Sequence, residues 1–90
     1  MDAWEELKES IELLQKVLEE TPIEDLEEYR DALIKIVRAR ELDEIEKGLK
    51  TLKKYKDLHE KFNRVRGNDN GPNYIIWAIR KYTTREYNKI

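Results

Sequence analysis

At 90 residues the chain is short enough to make a single domain, residues 1–90, the default organisation. It carries 18 Lys plus Arg against 20 Asp plus Glu, for a formal net charge of −2, and 42% of its residues are charged. It has no Cys, which excludes disulfide frameworks, thiolate zinc sites and cysteine nucleophiles, and no apolar run approaches the roughly 20 residues of a membrane span. A soluble and, for a natural chain, cytoplasmic protein is expected.

A domain of this size buries roughly 60–70% of its unfolded surface and can fold without a staple. All of its stability must then come from packing. Glu, Lys, Leu, Ile and Arg dominate, and Gly and Pro total five. Few thermolabile residues and many charges give a hyperthermophile-like composition, which a de novo or engineered protein would share. The irregular stretch 68–73, Gly48 and His59 argue against an idealised design.

The periodicity predicts an all-α protein, a compact antiparallel bundle of four helices at about 3–20, 22–40, 44–66 and 73–89. In the first, Trp4, Leu7, Ile11, Leu14 and Leu18 recur at the 3-4-3-4 spacing of a packed seam. Asp2 is placed to cap it, with Glu5 at capping-box spacing. Thr21 then suits the N-cap of the second helix, Pro22 its first position and Glu24 the box. Ile23, Leu26, Leu33 and Val37, with Tyr29, Ile34 and Ile36 beside them, form a face broad enough for more than one neighbour.

Asp43-Glu44-Ile45-Glu46 has capping-box spacing again and predicts a turn at 40–43. The third helix carries Ile45, Leu49, Leu52, Tyr55, His59 and Phe62 on its seam, with Gly67 as its stop. Gly48 falls on the packed side, where a missing Cβ lets helices approach closely, at about 1 kcal/mol in propensity against Ala. The last segment begins Tyr-Ile-Ile-Trp-Ala-Ile, which suits a strand. No other stretch offers a partner strand, so it is expected to be helix, with Ile75, Ile79 and Tyr82 inward and a break near Thr83.

Charge is segregated along the chain. Residues 1–46 hold 16 acids and 6 bases, whereas residues 47–90 hold 4 acids and 12 bases. At about 100° per residue, Lys47, Lys50, Lys54 and Lys61 fall within about 60° of one another, a basic stripe opposite the seam. Such a stripe suits a phosphate backbone, but the plainer reading is a solvated helix face, with acidic and basic helices complementing each other inside the bundle. On the last helix, Trp77 lies opposite the inward residues, near Lys81 and flanked by Tyr74, Arg80 and Arg85. Aromatics among bases can stack on nucleobases or anchor a protein interface. The plainer expectation is that Trp77 packs on a neighbouring helix.

No catalytic signature is present, and the acidic clusters 24–25, 27–28 and 43–46 sit near helix starts, where they favour the macrodipole. His59 is the only histidine. Between Tyr55 and Phe62 it reads as a partly buried, hydrogen-bonded imidazole, with none of the carboxylates a metal site needs at helical spacing. No cofactor or metal is expected. The leading expectation is a non-enzymatic helical bundle with a structural or protein-interaction role, including self-association. The alternative is nucleic-acid binding through the basic half, residues 47–90.

Overall fold

The computed structural model describes residues 2–65 and 71–89. Among these it is all-α, with five helices in the order α1 (Ala3–Glu20), α2 (Ile23–Arg38), α3 (Leu42–Lys54), α4 (Lys56–Asn63) and α5 (Pro72–Asn88). No helix among the described residues is long and apolar enough to cross a membrane.

The helix ends follow local chemistry, with two departures from expectation. Asp2 caps α1 as expected, accepting the Glu5 N–H on Oδ1 at 2.8 Å. Thr21 does not cap α2. It closes α1 instead, its hydroxyl donating to the Val17 carbonyl at 2.6 Å. With Thr21 turned back, the N-cap falls on Pro22, whose carbonyl takes the Leu26 N–H at 3.0 Å. Before α3, the Glu44 carboxylate accepts the Arg40 N–H at 3.2 Å. Asp43 lies inside the first turn, and the N-cap is Glu41. The acids at 24–25 and 43–44 occupy the first turns of α2 and α3, where they favour the macrodipole.

The expected third helix is two helices. It breaks at Tyr55 (φ −107°, ψ 36°) and resumes as α4. Neither Gly nor Pro causes the break. The Tyr55 hydroxyl reaches α2, donating to Glu28 Oε2 at 2.6 Å with Asp25 Oδ1 3.2 Å away. That tie holds the end of α3 on α2, while α4 turns toward α1. The last segment is helical throughout. Thr83 does not interrupt it, because its side chain is buried and its hydroxyl donates to the Arg80 carbonyl at 3.2 Å. Gly71 (φ +57°) precedes Pro72 at the first turn of α5. The expected stop at Gly67 and the turn residues 68–70 lie outside the described residues.

One core unites four of the five helices. Leu14, Val17 and Leu18 from α1 meet Leu26, Tyr29 and Leu33 from α2, Leu58 and Phe62 from α4, and Ile75, Ala78 and Ile79 from α5. Burying each large side chain contributes roughly 1.5–3 kcal/mol. The broad face of α2 serves two neighbours, α3 and α5. Only Gly48 of α3 is buried. A Cβ there would lie 2.5 Å from Ile36 Cγ1 and 3.1 Å from the Ala32 carbonyl oxygen, so the missing side chain is what lets α3 lie on α2.

Candidate interaction surface

The α1 seam is only half covered. Leu14 and Leu18 are in the core, but Trp4 is 80% exposed and Leu7 and Ile11 are each 44% exposed. This corrects the expectation that all five residues pack within the bundle. The three exposed residues share a shallow groove with Lys8 and Glu12. Their i, i+3, i+7 spacing is that of a helix face laid into a partner. At about 100° per residue Glu5, Glu6 and Glu9 fall on the far side of α1 from it, so its charged lining is one base and one acid.

A second apolar surface lies along the bend between α3 and α4. Leu49, Leu52 and His59 line a concavity of about 660 Å³, with Lys50, Lys53 and Lys56 on its rim beside Glu46 and Glu60. Leu49, expected on the packed seam, is 51% exposed. The break at Tyr55 gives this face its shape. The imidazole of His59 is fixed from the core side by a 2.8 Å hydrogen bond between its Nδ1 and the Tyr29 hydroxyl, so it is the hydrogen-bonded, partly buried residue expected. Burial pushes the Tyr29 phenol well above its ordinary range, and its ring stacks on Phe62 with centroids 5.3 Å apart.

The expected lysine stripe is divided by the same break. Lys47 and Lys50 remain exposed on α3. Lys54 is committed to Glu28, with Nζ 3.3 Å from Oε1, and it also lies 5.2 Å from the Tyr55 ring centroid. Lys61 is on α4, and it shares with Lys54 a cleft that also holds Glu20, Asp25 and Asp57. Lys56 lines the cleft as well, so three lysines share it with three acids. The Glu28 carboxyl is held below its ordinary range, first by the Tyr55 hydroxyl and then by Lys54.

Internal complementarity between the two charged halves takes an unexpected form. Among the described residues one ion pair joins two helices, Lys54–Glu28. The acidic face of α2 is met mainly by tyrosines, Tyr55 at Asp25 and Glu28, and Tyr87 at Glu27. Nothing in the sequence marks these contacts, since a lone tyrosine carries no periodic signal.

On α5, Ile75 and Ile79 are buried and Tyr82 packs against the core, as expected. Trp77 is not packed on a neighbouring helix. It is 55% exposed, with Lys81 Nζ 5.0 Å from its ring centroid and Tyr74 6.1 Å away. Arg80 is exposed beside it. Arg85 stacks instead over Tyr82, at 5.6 Å. Tyr74, Trp77 and Lys81 thus form one contact group, and Arg85 belongs to another.

Among the described residues no three His, Asp or Glu side chains are grouped to hold a metal. Comparison with protein-family models, curated proteins and solved structures found no match to this chain in any of the three.

Proposed function

We propose that this chain is a non-enzymatic helical protein-interaction module, working through the apolar face that its own fold leaves open on α1. The observation that carries the reading is the exposure of Trp4, Leu7 and Ile11 on one face of a helix whose other end is anchored in the core. Aromatic and aliphatic anchors of this kind supply most of the binding energy at protein interfaces, and exposed apolar patches mark such sites. The absence of Cys suits a cytoplasmic setting. The test is a photo-crosslinking phenylalanine analogue placed at Leu7 in the full chain in cells, with the exposed Lys16 as control. A discrete polypeptide adduct at Leu7 that is absent at Lys16 is expected. Equal or no adduct at both positions would contradict the reading.

Nucleic-acid binding is the second reading, favoured by one observation, the open ring of Trp77 with Lys81 over it. It rests on Tyr74, Trp77, Arg80 and Lys81 rather than on the divided lysine stripe. Titration with single-stranded oligonucleotide at about 50 and 200 mM salt tests it. Quenching of Trp77 that weakens steeply with salt would support it, and unchanged emission at low salt would exclude it.

A further inference from the structure

Resting on the nucleic-acid reading of α5, we infer that its ligand is a single strand laid along the outward stripe of this helix, with a base stacked on Trp77 and phosphates on Arg80 and Lys81. The stripe follows from helix geometry. α5 turns Ile75, Ala78, Ile79 and Thr83 inward, and at about 100° per residue Trp77 lies opposite them. Asn73, Arg80, Lys81, Thr84 and Asn88 fall within about 60° of Trp77, and all six are exposed. None of the six is acidic, and only Trp77 is apolar. The one acid of α5, Glu86, lies on the opposite side, half-buried and held by Lys89 at 3.1 Å.

The chain has 20 Asp plus Glu, yet among the described residues no carboxylate pairs with Arg80 or Lys81. A face with unpaired cations and no acid complements an anion. The indole selects which anion. The core of a protein interface is apolar and poor in charge, but no aliphatic side chain shares the stripe with Trp77. A helix lying on a membrane needs a broad apolar face, and the apolar face of α5 is in the core. An unpaired base offers a flat ring beside a phosphate, whereas the bases of a duplex already stack on one another. Trp77, 55% exposed, supplies the platform. Arg80 and Lys81 stand one turn further along the same face, and Lys81 Nζ already lies 5.0 Å from the indole centroid.

The experiment is the fluorescence anisotropy of dye-labelled oligothymidylate, and of a duplex of equal length, titrated with the full chain at about 50 and 200 mM salt. The variants are Trp77→Leu, Lys81→Gln and, as a control on α3, Lys47→Gln. All three altered residues are exposed, so circular dichroism should show the fold intact. The single strand should bind about tenfold or more tightly than the duplex, and Trp77→Leu should remove about that factor. Two phosphate contacts should raise the dissociation constant about sevenfold between the two salt levels, and Lys81→Gln should cut that to about threefold. Lys47→Gln should change neither affinity nor salt dependence.

A duplex bound as tightly as the strand, or a strand indifferent to Trp77→Leu, would overturn the stacked single strand and leave the nucleic-acid reading standing. Polyglutamate of equal charge that binds as tightly as the strand, and through Trp77, would overturn it in favour of an acidic polypeptide. If neither oligonucleotide binds at about 50 mM salt, both the inference and the reading beneath it fall.

Discussion

The Tyr29 hydroxyl and His59 Nδ1 meet at 2.8 Å across α2 and α4, thirty residues apart in sequence. Tyr29 is almost fully buried and stacks on Phe62, so one residue ties the core to the open α3–α4 groove. Tyr29→Phe keeps the ring and removes the bond. His59 is partly exposed, so water can take its place at Nδ1. A loss of about 1 kcal/mol in urea unfolding is expected. Tyr29→Ala also opens a cavity and should cost about 3–5 kcal/mol. Equal losses for the two variants would show that the bond, and not the ring, carries the contact.

The same residue predicts how the fold fails in alkali. Burial raises the Tyr29 phenol in the folded chain, whereas in the unfolded chain it ionises near pH 10. Its contribution is therefore complete below about pH 10 and is lost as pH rises through the higher folded value, because the unfolded chain then binds fewer protons. Unfolding free energies measured between about pH 8 and 11 should be level at first and then fall, and Tyr29→Phe should flatten that fall. An unchanged alkaline slope in Tyr29→Phe would assign the effect to other groups.

Gly48 predicts a sign that helix propensity alone gets wrong. Alanine gains about 1 kcal/mol in a helix interior, but its Cβ would sit 2.5 Å from Ile36 Cγ1. Overpacking costs about 1–3 kcal/mol, so Gly48→Ala should destabilise. In an Ile36→Ala background much of the clash is gone, and the same change should become less costly. A double-mutant cycle reads the coupling. Stabilisation by Gly48→Ala in the unaltered chain would refute the close contact.

The two halves of the α1 seam should differ sharply. Leu18 is in the core and Trp4 is 80% exposed. Leu18→Ala should cost about 2–5 kcal/mol and Trp4→Ala less than about 0.5 kcal/mol. Comparable losses would place Trp4 inside the fold.

Tyr55 and Glu28 make a prediction in acid. The Glu28 carboxyl is held low chiefly by the Tyr55 hydroxyl, with Lys54 adding to it. Tyr55→Phe should move the Glu28 titration, followed by carbon NMR, back toward the ordinary carboxylate range. The unaltered contact favours the fold above the ordinary carboxylate range and loses its effect as pH falls through the lowered value. No movement of the Glu28 titration would mean that Lys54 alone sets it.

Much of this architecture is written locally. The Asp2 cap and the position of the Thr21-Pro22 junction are set by a few neighbouring residues and were legible, although Thr21 closes α1 rather than capping α2. The close approach at Gly48 and the helical α5 were legible from a missing Cβ on the seam and from the lack of a partner strand. Tyr55 was not, because what breaks the helix there is its reach to Asp25 and Glu28 about thirty positions away. The candidate surface was legible in its residue types and not in its placement. Periodicity shows that Trp4, Leu7 and Ile11 share a face with Leu14 and Leu18, but not where the chain's own cover ends. The lysine stripe failed for a related reason. Its arithmetic assumed one straight helix from Lys47 to Lys61, and the break puts Lys61 and Lys54 in a cleft with Lys56 and three acids.

The most direct measurement is the emission of Trp4 as the only tryptophan, in the Trp77→Phe chain, over about 0.1 to 100 µM. An α1 face that the fold leaves open predicts a spectrum typical of a water-exposed indole, readily quenched by acrylamide, at the dilute end. An indole that emits at short wavelength and is shielded from quencher even there would contradict it.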